Sequence, residues 1–253
     1  MLLVHGLLRE HDRGVLDDVE AGGIHARAVT TGGLVAAVSE APDDGLTADD
    51  AVAHLDLLVA LATDVPVLPL PLGTTAPDDD AVREEVLAPA AERLEQQLAA
   101  IADVVELRLD LAFDTDAVVA GIARDDPEIE QLAARTRSSG AGLPERLALG
   151  ETVASRVAEA ESALAERWTA GLSAIAERSA LLAADDQVRR TAWLVRRDRL
   201  ADADAEVARL RASAEGTADV EYVGPLPVYS FLDDVQNQIP PGPEPEPNSR
   251  WGW

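Results

Sequence analysis

The pattern of apolar and polar positions is clearest between Leu143 and Leu182. Val153, Val157, Leu164, Trp168, Leu172, Ile175 and Leu182 recur at the spacing of one helical face, and Glu151, Arg156, Glu159, Glu166, Arg167, Glu177 and Arg178 occupy the other. Pro144 stands in the first turn, where a missing N–H leaves nothing unpaired. The pattern predicts one long amphipathic helix over 144–183, either the spine of a lobe or a helix that projects part of its stripe. On the second reading, Val157, Leu164, Trp168 and Leu172 are the partner-binding positions; on the first they are core.

Before that helix, Leu2 to Leu8 reads as a mostly apolar and therefore central strand. Val15 to Ala21 reads as a short helix. Ile24 to Val29 and Leu34 to Ser39 read as strands joined through Thr31-Gly32-Gly33. Thr47 with Asp50 opens a helix to Ala62, with Val52, Leu55, Val59 and Ala62 on its inward side. Pro66, Pro69 and Pro71 end it. Asp78-Asp79-Asp80 starts a second helix to about Ala102, with Val82, Val86, Leu94, Leu98 and Ile101 inward and a break at Pro89.

Val105, Leu107, Leu109, Leu111 and Phe113 alternate with Glu106, Arg108 and Asp110, a strand with one packed face and one wet face. Helices are expected at Asp116 to Ile122 and Pro127 to Ala134, and a loop over 135–142. A buried strand follows over Val188 to Arg196, then a helix through Leu200, Val207 and Leu210 closed by Gly216, and a strand at Val220 to Val223. The expected class is α+β in two lobes. Residues 1–102 form an N-terminal α+β domain and 103–232 a modified ferredoxin-like, split βαβ domain. Residues 233–253 form an extended proline-rich tail ending in Trp251-Gly252-Trp253.

Composition narrows the function. The 253 residues carry a formal charge of −26 and no lysine, so nucleic acid and anionic membrane are excluded as expected partners. Such charge keeps a chain soluble. No run of about 18 apolar residues is present for a membrane span, and no leader precedes Arg9, so a cytoplasmic protein is expected. There is no cysteine. His5, His11, His25 and His54 show no ligand spacing, no nucleophile elbow or phosphate loop occurs, and the acid pairs follow from composition. Neither cofactor, metal nor catalysis is expected.

Two proline-containing segments carry more information. Val65-Pro66-Val67-Leu68-Pro69-Leu70-Pro71-Leu72-Gly73-Thr74 lies between two helices, and Val223-Gly224-Pro225-Leu226-Pro227-Val228-Tyr229-Ser230-Phe231 comes after the last helix. The prolines place the first on a sheet edge or in an extended crossing. Together the segments resemble the two motifs of the gas vesicle protein F/L family. The agreeing residues are Val67, Leu68, Pro69, Gly73 and Thr74, then Gly224, Pro225, Pro227, Tyr229, Ser230 and Phe231. Leu72 and Leu226 stand where that family tends to carry aromatics.

The resemblance implies an accessory protein of gas vesicle assembly. Its partners would be the small apolar major shell protein (GvpA-type) and other accessory proteins, and its location the cytoplasm or the vesicle. A subunit that polymerises through β-pairing and an apolar surface aggregates unless its edges are occupied, so the chain is expected to keep the shell protein from aggregating before assembly. A different class, a ferredoxin-like regulatory module binding a small ligand, remains the alternative.

Overall fold

The computed structural model describes residues 1–19, 21–42, 45–125, 131, 142–182 and 188–232. The helix expected at 127–134 apart from residue 131, nearly all of the loop over 135–142 and the tail 233–253 lie outside the described residues. Internal contacts divide the chain into two units. One comprises 1–108, 194–198 and 223–232, and the other falls within 109–193 and 199–222.

The first sheet is built from β1 (Leu2–Arg9), β2 (Arg27–Thr31), β3 (Leu34–Glu40), β4 (Leu68–Pro69) and β5 (Thr75–Ala76), with α1 (Val15–Asp18) after β1 and α2 (Ala48–Asp64) after β3. Strand order is β2-β3-β1-β4, and β5 continues along the same strand β1. Gly32 and Gly33, at φ 56° and 89°, make the two-residue turn between Thr31 and Leu34. Thr47 and Asp50 form a full capping box at the start of α2.

The buried face of α2 is His54, Leu57, Leu58, Leu61 and Ala62. Its leucines pack on Leu8, Val35 and Ala37 of the sheet and on Leu16 and Val67. Of the positions expected to face inward, only Ala62 does so, while Val52 is 60% and Leu55 41% exposed. Both sides of this helix are apolar at helical spacing, so periodicity alone does not choose between them. The side with three leucines and a histidine that meets a sheet residue wins the core.

Asp78 accepts from the Ala81 N–H at 2.9 Å to open α3 (Asp79–Ala81). A π-helical turn (Val82–Leu87), a 3-10 turn around Pro89 (Ala88–Ala90) and α4 (Ala91–Ala100) follow. The break at the proline is the expected one, and Val82, Val86, Leu94, Leu98 and Ile101 are buried.

Later in the chain come β6 (Val104–Phe113), α5 (Thr115–Asp125), α6 (Leu143–Ile175), β7 (Arg178–Leu181), β8 (Val188–Arg196), α7 (Leu200–Ala214) and β9 (Ala218–Leu226). The sheet order is β7-β8-β6-β9. A β-α-β-β-α-β succession with its first strand between the third and the fourth is the ferredoxin-like arrangement. The first sheet has the same succession and the same order. The arrangement therefore occurs twice, although α1 is a single turn and β4 only two residues long.

Two expectations are corrected here. The long helix ends at Ile175, and Ala176 is already extended at ψ 141°. No glycine or proline stops it; residues 178–181 instead join β8 as the sheet's end strand, with the Leu182 N–H bonded to the Arg190 carbonyl at 3.0 Å. Strand β6, expected to be wet on one face, is covered on both: Glu106 is 2% and Asp110 7% exposed. Asp110 is covered by Arg190, whose guanidinium lies 2.7 Å from its carboxylate.

The two sides of α2 give the first prediction. Leu58→Ala lowers unfolding free energy by about 2–5 kcal/mol, whereas Val52→Ala changes it by no more than about 0.5 kcal/mol. Urea-unfolding midpoints of the two variants check this. Equal losses would return Val52 to the core.

Candidate functional site

The first family-like segment closes the free edge of β1. Leu68 and Pro69 pair with Leu7 and Gly6, and Thr75 and Ala76 pair with Leu3 and Leu2. Between these two short pairings, Leu70 donates to the His5 carbonyl at 3.0 Å and Val4 donates to the Thr74 carbonyl at 2.8 Å. Proline cannot supply a full ladder of donors, so the segment pairs in two pieces with a turn between them. In that turn the Thr74 hydroxyl and N–H both donate to the Pro71 carbonyl, at 2.7 and 3.1 Å, and Gly73 sits at φ 90°. Val67 and Leu68 are buried, and so is Pro69.

The registers of Val4 with Val38 and of Gly6 with Ala37 leave His5 as the extra residue of a β-bulge. The bulge aims His5 at α2, where its Nδ1 lies 2.8 Å from Nδ1 of His54. His5 Nε2 lies 2.8 Å from the Ser39 hydroxyl, and His54 also hydrogen-bonds the backbone of Leu70. Taking that Leu70 group as the carbonyl, His54 donates to it from Nε2. Its Nδ1 then accepts from His5, and His5 Nε2 accepts from Ser39. Each ring then carries one proton; a second on His5 would need the Ser39 hydroxyl to turn and accept, and burial opposes the charge. Gly6 is needed beside it, because a Cβ there would lie 2.9 Å from both Leu58 and Val67 and 3.0 Å from the Leu68 carbonyl.

The second segment ends β9 and folds over β6. The Gly224–Pro225 peptide is cis. Ser230 donates to Glu106 twice, through its N–H and its hydroxyl, both at 2.7 Å. Burial pushes the Glu106 carboxyl above its ordinary value, and these bonds pull against that rise. Leu226, Pro227, Val228 and Phe231 are buried, while Tyr229 is 39% exposed with its hydroxyl pushed up to about 12, first by burial and then by Glu106. The covering of Glu106 could not be read from the alternation of β6, because Ser230 lies 124 residues further along the chain.

Both segments thus include residues of the fourth strand of their sheet; the first bonds the His5 backbone carbonyl and the second the Glu106 side chain. In each the sequence Pro-Leu-Pro occurs at this place, as Pro69-Leu70-Pro71 and Pro225-Leu226-Pro227. Their residues build the fold.

The stripe on α6 lies elsewhere. Leu172 is 1% exposed, Val157 and Leu164 are half-buried, and Trp168 stacks on Phe113 with ring centroids 5.8 Å apart. The helix packs against α5 and α7. Leu172 and Trp168 therefore belong to the packing of their own unit. Leu143, Leu147 and Leu181 are exposed singly along α6 and β7, and a further group of exposed apolar side chains that sequence reading missed is on and beside α2. They are Val52, Leu55, Leu46 (42%) and Leu72 (37%), with Leu46 Cδ1 3.5 Å from where a Gly73 Cβ would stand. Among the described residues no cluster of three or more metal-binding side chains is present, and no helix is long and apolar enough to cross a membrane.

Burial brings the His5 imidazole down to about 4 and lowers that of His54 as well. The unfolded chain then binds more protons than the folded one between about pH 6.5 and 4, so stability is complete above that window and falls as pH drops through it. Each proton taken up on unfolding contributes a slope of about 1.4 kcal/mol per pH unit. Glu106, raised on folding, contributes the opposite sign, so the test is a difference. Urea unfolding of the wild type and of His54→Gln across this window should show a shallower acid loss in the variant. Parallel curves would contradict the assignment.

The chain matches the family profile described as gas vesicle synthesis protein GvpL/GvpF over residues 2–233. It is 34% identical over 216 residues to gas vesicle protein F of Streptomyces sp. (strain CB03234), covering 82% of this chain and 87% of that one. The crystal structure of GvpF from Anabaena sp. PCC7120 superposes with a TM-score of 0.74 at 14% identity, over 91% of this chain and 97% of the other. That of GvpF from Microcystis aeruginosa gives 0.69 at 14% identity, over 91% and 98%. The motif residues, the doubled ferredoxin-like order and these matches agree: the chain belongs to the GvpL/GvpF family of gas vesicle synthesis proteins.

Proposed function

We propose that this protein, whose family gives it a gas vesicle role, is an assembly accessory that binds the small apolar shell protein and keeps it from clumping before it is built in. It performs no bond-making chemistry. A subunit that polymerises through strand edges and apolar surface associates with itself as soon as it is free. An escort must cover that surface and remain soluble while doing so. The observation that carries the reading is the outward face of α2: a chain of net charge −26 leaves Val52 60% and Leu55 41% exposed on one helix. Large apolar side chains grouped on the outside of so acidic a protein suit a client-binding surface. The surrounding charge supports the solubility of the complex. Val157 and Leu164, half-buried, are the remaining candidates on the stripe of α6.

Production of the shell protein with and without this chain tests the reading. With the chain present, shell protein is expected in the soluble fraction and is retained with the tagged chain. Without it, shell protein is expected in the pellet. Unchanged partitioning together with no retention would contradict the proposal.

A further inference from the structure

The outward face of α2 has a chemistry of its own. Val52, Leu55 and Val59 lie at i, i+3 and i+7, a ridge of two turns spanning about 10 Å. It points away from Leu57, Leu58 and Leu61, which fill the core. Every charged residue of the helix is an acid: Asp49, Asp50, Asp56 and Asp64, with neither arginine nor lysine between Ala48 and Asp64. Asp50 is engaged in the capping box with Thr47. Asp49 and Asp56, seven apart and both exposed, lie along one flank of the ridge at about 100° per residue.

A second copy of this chain is a poor occupant, for it would set two all-acid helices of two −26 chains against each other. A ridge on a convex helix suits another helix, whose side chains interdigitate with it at an axis separation of about 8–10 Å. We propose that α2 docks an amphipathic helix whose apolar ridge is flanked by arginine or lysine, the basic side chains meeting Asp49 and Asp56. The inference rests on the proposed assembly role in taking the helix to belong to the shell protein. The apolar ridge supplies affinity and the acidic flank supplies register and encounter rate.

The test compares retention of shell protein by the tagged full-length chain in the wild type, in Val52→Asp/Leu55→Asp and in Asp49→Lys/Asp56→Lys. All are measured at low and high salt, with circular dichroism and urea midpoints confirming that each is folded. The positions are exposed, so folding is expected to survive; Val52→Gln/Leu55→Gln serves if the aspartates do not fold. Both double variants are expected to lose at least about tenfold in affinity, corresponding to about 1.4 kcal/mol, and wild-type retention is expected to weaken as salt rises.

If the wild type holds shell protein and the ridge variants hold it equally well, the docking face is wrong while the assembly role stands. Stronger retention by the lysine variant would overturn the basic flank. A dimer of the wild type that Val52→Asp/Leu55→Asp abolishes would assign the ridge to self-association. No retention by the wild type would overturn the assembly role and this inference with it.

Discussion

The first strand of each sheet has a backbone edge that something must close, and in both sheets a proline-bearing segment does so. An unpaired buried N–H or C=O is costly, so an open edge on β1 or β6 would either take water or recruit another strand. Proline makes the closure irregular. On β1 it comes as two short pairings separated by the Pro71–Thr74 turn, and Val4 and His5 are satisfied from between them. On β6 the closing strand is longer, and the segment after it reaches back to Glu106. Both first strands carry a buried polar side chain, His5 or Glu106, that is tolerable only while its partners are in place. The second family-like motif satisfies Glu106 directly, and the first bonds the His5 backbone carbonyl and reaches the histidine pair through Leu70 and His54.

The outward chemistry follows from the same elements. Helix α2 and the segment after it turn leucines and Val67 toward the sheet, and their other sides carry Val52, Leu55 and Leu72 outward. Because the inner side is held by the capping box, the histidine pair and the closed edge, the outer side can be apolar without collapsing onto the chain's own core. The acid surplus then decides what is welcome there. Like charge disfavours a second copy there, and the proposed partner is one whose basic flanks complement the acids.

Features that depend on neighbours in sequence are legible from the residues alone. The Gly32-Gly33 turn, the Thr47–Asp50 box, the break at Pro89 and the closing role of Gly216 all rest on local backbone chemistry. What is not legible depends on distant partners. Helix α2 has two apolar faces, and only the sheet and His5 distinguish them. Glu106 looks solvated until residues near 230 arrive to cover it. The long helix has no stop signal after Ile175, because its end is set by pairing with β8 rather than by its own residues. The family resemblance is readable in part because its motifs turn on Pro69, Gly73, Gly224, Pro225 and Pro227, where backbone constraint favours the residue type. The stripe on α6 is likewise readable from its spacing, but not how deeply each side chain lies: Leu172 is buried, while Val157 and Leu164 are half-buried.

The central claim is that one helix serves the fold with one side and a client with the other. Hydrogen exchange read by mass spectrometry, on this chain alone and after mixing with shell protein, tests it most directly. The account predicts added protection across peptides of α2 and of the turn at 70–74, with α7 unchanged. Protection confined to α6 and α7, or none in a mixture where the complex has formed, would contradict it.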